Sequence, residues 1–200
     1  MQKVIIFDDM SQCTKETVQK MLTLVSEQRR QQAMQFKHLF GQFACLKAYI
    51  ILKDILTNFF GFNEKGHIHF NYGKYGKPYI IDGPHFSISH CREAIAVAVS
   101  NTPIGIDIEN VRHISEELIK KTMNNAEQKM IEESSNREEA FITIWTKKEA
   151  VLKMHGTGIN DNIINALDGS AETKTISHKE KRYIYSVATP TNINQTITDL

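Results

Sequence analysis

Two acidic residues interrupt a β-branched apolar run, Pro103-Ile104-Gly105-Ile106-Asp107-Ile108-Glu109. Side chains alternate along a strand, so Ile104, Ile106 and Ile108 share one face and Gly105, Asp107 and Glu109 the other. The expectation is an apolar face in the core and an opposite face carrying two carboxylates roughly 7 Å apart, beside a glycine that leaves room for close approach. Carboxylates at that spacing repel unless a cation, a basic group or water screens them. A strand with one wet face and two solvated acids gives the same pattern, so this run alone does not decide.

A third carboxylate stands at Glu149. Phe141, Trp145, Glu149 and Lys153 follow at steps of four and form one stripe of a helix, aromatic at its start and ionic at its end. A surface Glu–Lys pair would read the same way. Taken with Asp107 and Glu109, however, Glu149 completes a set of three oxygen ligands without a nearby Cys or paired His, which suits a hard cation such as Mg²⁺ or Mn²⁺. Mg²⁺ takes few protein carboxylates and fills its octahedron with water and phosphate oxygens. Lys153, Lys77, His90 and Arg29 could gather round a polyanion. The chemistry implied is metal-assisted phosphoryl or phosphodiester transfer, with the acceptor unidentified.

Composition narrows the class. The 200 residues carry 24 Lys and Arg against 23 Asp and Glu, a net charge of +1 that excludes a broadly basic nucleic-acid binder. Cys13, Cys45 and Cys91 are odd in number, widely spaced and without a C-x-x-C pair, so neither a disulfide framework nor a zinc site is expected, and a reducing cytoplasm is the simplest setting. The amino-terminal apolar run is too short for a signal segment, and no stretch approaches the ~18 uninterrupted apolar residues of a membrane span.

The elements that must position these residues can be read in order. Val4 to Phe7 is β-prone. Val18, Met21, Leu22 and Val25 share one helical face, and Ser26 caps a further helix starting Glu27-Gln28-Arg29-Arg30. Phe40 to Phe60 is dense in apolar residues, a central buried helix ended by Gly61. Ile68 to Tyr72 alternates as a strand before the glycine-punctuated turn Gly73-Lys74-Tyr75-Gly76-Lys77-Pro78, which can bring amides and an ammonium to an anion. Phe86 to Ser89 and Ala94 to Val99 read as strands. Ser115 and Asn136 cap helices, the second closed by Gly156-Thr157-Gly158; a polar turn region and a late strand, Tyr183 to Ala188, follow, and the last ten residues read as loose. Each half holds a long apolar helix stopped by glycine and followed by strands.

The strand Gly105-Ile106-Asp107-Ile108-Glu109, the helix Trp145-Thr146-Lys147-Lys148-Glu149-Ala150-Val151-Leu152-Lys153, the upstream Phe86-Ser87-Ile88-Ser89-His90 and Tyr75-Gly76-Lys77-Pro78 together resemble the Sfp-type 4′-phosphopantetheinyl transferases, over roughly residues 3 to 190. The resemblance implies an α/β (α+β) fold of two similar subdomains related by a pseudo-twofold axis. Each would be a small, mainly antiparallel sheet on a long helix, residues 1–101 and 102–200, with the active site in the cleft between them. It implies coenzyme A as donor, the serine of an acyl or peptidyl carrier protein as acceptor, and 3′,5′-ADP as product. Asp107, Glu109 and Glu149 match the family's metal ligands, with Glu149 also the base toward the serine and Lys153 the partner of the leaving oxygen. Ser89 and His90 match positions near the 3′-phosphate and pyrophosphate, Lys77-Pro78 the loop beside the adenine, and Arg29 a basic position. Many relatives carry an Arg followed by Ser or Thr in the first-half helix, where this chain reads Ala44-Cys45, and Gln32 stands where a lysine is common.

Carrier domains of this kind are acidic, and Leu118-Ile119-Lys120-Lys121 offers apolar and basic groups together, so Lys120 and Lys121 are candidate docking residues; an ordinary amphipathic helix reads alike. A fold doubled within one chain needs no oligomer, so a monomer is expected, with no nucleic-acid or membrane partner. Competing readings are a metal-dependent nucleotide phosphohydrolase and a non-catalytic relative that binds CoA or a carrier domain.

Overall fold

The computed structural model describes residues 1–62, 68–158 and 161–191. Among them, strands β1 (Gln2–Phe7), β5 (Ala94–Ser100) and β4 (His85–Cys91) form one antiparallel sheet in that spatial order. Strands β6 (Gly105–Asn110), β8 (Tyr183–Pro190) and β7 (Ala171–His178) form a second. A two-stranded ribbon, β2 (Asn71–Tyr72) with β3 (Pro78–Tyr79), stands apart from both. Helices α1 (Lys15–Leu22), α2 (Glu27–Met34) and α3 (Leu39–Phe60) lie between β1 and the ribbon, and α4 (Glu116–Thr122), α5 (Asn125–Glu132) and α6 (Arg137–His155) between β6 and β7. The protein is thus a mixed α/β molecule with small antiparallel sheets. Both large sheets place the last strand of the three in the middle, and in both a long helix precedes the final two strands.

Helix ends follow from local chemistry. Ser26, Ser115 and Asn136 each accept the backbone N–H three residues on, as expected, and Asn124 with Glu127 forms a capping box. The two long helices stop at Gly61 (φ +64°) and Gly156 (φ +71°), left-handed positions that glycine takes without strain.

β5 is buried on both faces, and its two faces differ. Ile95, Val97 and Val99 pack into the α3 core with Phe43, Leu46 and Leu52. Ala94, Ala96 and Ala98 face the second sheet, where they meet Ile104, Ile106 and Ile108. Small side chains on one sheet let the isoleucines of the other approach closely. Beside this core, Ser87 Oγ accepts from Ile106 N at 3.1 Å and Ser89 Oγ from Ile108 N at 3.4 Å. The shared sequence offset of 19 means that β4 and β6 run side by side in the same direction, joined through serine hydroxyls rather than a backbone ladder.

Two expectations change. Of Ile68 to Tyr72 only Asn71 and Tyr72 are strand; Ile68 is buried and donates its N–H to Tyr49 Oη at 2.9 Å, so side-chain burial against α3 replaces pairing. The polar region before the last strand contains β7, an edge strand with alternating exposure. Of the carboxy-terminal ten residues expected to be loose, Thr191 donates to Ser170, and 192–200 lie outside the described residues. Among the described residues no helix is long and apolar enough to cross a membrane.

Candidate active site

Gly105 sets the distance between β6 and α6. A Cβ there would lie 1.8 Å from Ala150 O and 2.6 Å from Met154 N, both backbone atoms that cannot swing aside. The strand therefore lies directly on the helix, and one turn of α6 brings Glu149 and Lys153 to Asp107. Neither face of β6 is wet at this point: Asp107 is only 2% exposed, which removes the alternative of a solvated acidic face.

Asp107 Oδ1 accepts from Ser89 Oγ at 2.8 Å and from Lys153 Nζ at 2.6 Å, and Lys153 Nζ also donates to Ser89 Oγ at 2.9 Å. With Ile108 N–H as a further donor, the Ser89 hydroxyl gives one hydrogen bond and receives two. Lys153 therefore pairs with the strand's aspartate rather than with Glu149 one turn back. Asp107 Oδ2 is buried and has no hydrogen-bond partner, which is costly for a charged oxygen.

Burial, and then the charges of Asp107 and Glu109, push the Glu149 carboxyl up to about 7, against the opposing pull of Lys153. Burial and Asp107 likewise raise Glu109, with Arg112 and Lys153 acting in the other direction. The three acids thus share one electrostatic field. Among the described residues no group of three His, Cys, Asp or Glu side chains is gathered tightly enough to hold a metal ion. The residues nevertheless fit a hard cation: the orphaned Asp107 oxygen and its acidic neighbours are all-oxygen donors, and Mg²⁺ needs only one or two carboxylates besides water and phosphate.

A cavity of about 340 Å³ opens beside this cluster, lined by Lys77, Pro78, Ser87, Glu149, Lys153 and Gly156 among others. Lys77 reaches across it to Met154 O at 3.0 Å and Ile104 O at 3.5 Å, capping the carboxy-terminal end of α6. Among the described residues its ammonium makes no ion pair with a carboxylate, and burial lowers its pKa. His90 lies edge-on to Phe40, 5.7 Å between ring centres. The protein around it, and secondarily the Lys153 charge, hold its pKa below the ordinary value.

Arg29 is turned inward and does not line the cavity. Its guanidinium lies over Phe70 (4.7 Å) and Tyr49 (5.2 Å), Nη1 donates to Cys45 Sγ at 3.5 Å, and Nε is buried without a partner. Ala44 is wholly buried and offers an anion no donor side chain. Lys120 and Lys121 are exposed in the last turn of α4. The role of Ser87 as a bridge between sheets went unread in the sequence, although hydroxyls at alternate positions of an otherwise apolar strand were its signal.

Residues 103–193 match the family model described as the 4′-phosphopantetheinyl transferase superfamily. That span runs from just before β6 through β8 and contains Asp107, Glu109, Glu149 and Lys153. The chain is 27% identical over 151 residues to 4′-phosphopantetheinyl transferase Sfp of Bacillus subtilis, covering 74% of this chain and 67% of that protein. These matches support a reading of the chain as similar to the Sfp-type 4′-phosphopantetheinyl transferases. Similarity extends to 4′-phosphopantetheinyl transferase gsp of Aneurinibacillus migulanus, 25% identical over 79% of this chain and 67% of the relative. It extends also to 4′-phosphopantetheinyl transferase HetI of Nostoc, 35% identical over 54% of this chain and 50% of the relative. The matched span holds the acids and Lys153, while Lys77, Ser89, His90 and Arg29 lie outside it.

Proposed function

We propose that the chain transfers the 4′-phosphopantetheine arm of coenzyme A to a serine hydroxyl of an apo acyl or peptidyl carrier protein and releases 3′,5′-ADP. The observation that carries this reading is the Ser89–Asp107–Lys153 cluster beside a buried Glu149, open to a cavity, in a chain whose residues 103–193 match the superfamily model. CoA would occupy the cavity, its adenine beside Lys77-Pro78 and its phosphates toward Ser89, His90 and Lys153, with Arg29 behind them. Mg²⁺, or Mn²⁺, would draw one or two of its ligands from Asp107, Glu109 and Glu149, fill its shell with water and phosphate oxygens, and neutralise charge on the pyrophosphate.

The serine oxygen attacks the phosphorus that carries the pantetheine arm, and the bond from that phosphorus to the oxygen of 3′,5′-ADP breaks. Glu149, with a pKa near working pH, takes the serine proton directly or through one water. Lys153, fixed by Asp107 and Ser89, has an ammonium hydrogen to offer the departing oxygen. Burial of this cluster strengthens each of these interactions relative to water.

Residues 1–101 and 102–200 act as two subdomains related by a pseudo-twofold axis, a reading supported by the common strand order of the two large sheets. The active site then lies in the cleft between them, and a monomer suffices. Lys120 and Lys121 assist carrier docking from α4. The test is 3′,5′-ADP release from CoA in the presence of an apo carrier protein: the wild type should release it and Glu149→Gln should lose at least ~100-fold in rate. Release of inorganic phosphate without any carrier would instead support a hydrolase.

A further inference from the structure

A buried ion pair stands beside the acids and takes no part in the proposed transfer. Lys148, the residue before Glu149 on α6, is fully buried, and its Nζ lies 2.6 Å from Glu127 Oε2. The same nitrogen donates to Thr122 O and to Ile164 O, each at 2.9 Å. An ammonium has three N–H bonds to give, and here each finds an acceptor. The acceptors come from three places: the last residue of α4, the first turn of α5 and the short 3₁₀ turn Asp161–Asn165 that follows α6. Glu127 Oε2 also accepts from Asn124 N at 2.8 Å, so the carboxylate is itself fixed by the cap of α5.

One turn on from Lys148, Leu152 packs against Ile163 and Ala166 of the same region and also lines the Lys77 cavity. Lys148 and Leu152 thus form a stripe of α6 directly beside the stripe of Glu149 and Lys153. Gly105 sets how closely α6 approaches β6. That contact limits approach and leaves rotation about the helix axis to be fixed elsewhere.

We infer that Lys148 is a positioning residue: its three bonds set the rotation and axial setting of α6 and so the place of Glu149. The inference rests on the transfer reading for the reaction that it serves. Lys148 acts through geometry rather than charge. Glu127 cancels its charge at 2.6 Å, and the charges that act on the Glu149 carboxyl are those of Asp107, Lys153 and Glu109. An apolar pair of the same volume often serves stability as well as a buried ion pair does. What the ammonium adds is direction, because three fixed acceptors define one position for Nζ where an apolar side chain tolerates sliding.

Two variants separate positioning from stability. Lys148→Met leaves the Glu127 carboxylate buried and unpaired, so its urea midpoint should fall. Lys148→Met combined with Glu127→Gln removes both charges and keeps an acceptor for Asn124 N, so much of that loss should return. Arm transfer from CoA to an apo carrier protein is then measured at a temperature where each variant is fully folded by circular dichroism; should the single variant fail to fold, the double variant decides alone. The expected result is a kcat at least ~10-fold below wild type in both variants, with KM for CoA within about twofold. A kcat that recovers along with the midpoint in the double variant, or that stays at the wild-type value in both, would reduce Lys148 to a structural ion pair and overturn the inference. So would a raised KM with unchanged kcat, which would place the effect on the cavity rather than on Glu149. A wild type that binds CoA yet transfers no arm would remove the transfer reading, and with it the role inferred for Lys148.

Discussion

The Lys153 ammonium is shared by an aspartate and a hydroxyl from two different strands, and its removal isolates a buried charge. In Lys153→Met, Asp107 would keep Ser89 alone as a donor to one oxygen and nothing on the other. Breaking a fully buried ion pair costs about 3–5 kcal/mol. The Lys153 side chain is 31% exposed, so water moderates the loss to about 2 kcal/mol. Urea unfolding should show that shift, and arm transfer should fall at least ~100-fold, since in the proposed mechanism the same nitrogen serves the leaving oxygen. A variant with unchanged stability would show that the Lys153–Asp107 contact is worth little.

At the scale of elements, the site depends on two backbones touching. Gly105→Ala would drive a methyl group into Ala150 O and Met154 N, so β6 and α6 must separate. Overpacking of this kind costs about 1–3 kcal/mol, and a displacement near 1 Å lowers catalysis about 100-fold. The expected result is a folded protein with reduced melting temperature and a kcat that collapses while CoA binding changes little; full activity would mean that the strand–helix contact is not what places Glu149. Much of this was legible beforehand. The period-two run of β6 and the period-four stripe of α6 placed Asp107, Glu109, Glu149 and Lys153 because each element has one dominant face pattern. The Ser26, Ser115 and Asn136 caps were readable for the same local reason. What could not be read were contacts between elements far apart in sequence: Lys153 choosing Asp107 over Glu149, Lys77 capping α6 across the cavity, and Arg29 turning in between Tyr49 and Phe70. β7 escaped because an edge strand needs only one apolar face, and Ala171-Glu172-Thr173-Lys174-Thr175-Ile176 looks like a polar turn region.

Across the whole molecule, the sheets are joined at more than the serine seam. Asp8, just past β1, accepts from Lys181 Nζ at 3.0 Å and from Tyr183 Oη at 2.9 Å at the opposite end of the chain. The hydrogen bond from Lys181, aided by that from Tyr183, holds the Asp8 carboxyl below the ordinary aspartate value of 3.8. A depressed folded-state pKa stabilises the fold above the unfolded value and ceases to do so as pH falls through the folded one. Asp8→Asn should therefore lower stability near pH 7 by about 0.5–1 kcal/mol, the small figure reflecting partial exposure. The gap between variant and wild type should narrow as pH drops below 3.8. Chemical denaturation at pH 7 and at descending acid pH would read this directly, and a gap independent of pH would mean that the carboxylate's charge plays no part.

The central claim is that this buried cluster moves a phosphopantetheine arm from CoA to a carrier serine. It is tested most directly by intact-mass spectrometry of an apo carrier protein incubated with the chain, CoA and Mg²⁺, beside a Glu149→Gln control and an EDTA control. The account predicts a mass gain of one phosphopantetheine arm with the wild type, lost in both controls. No gain across several carrier types, despite measurable CoA binding, would contradict it and leave a binding module in its place.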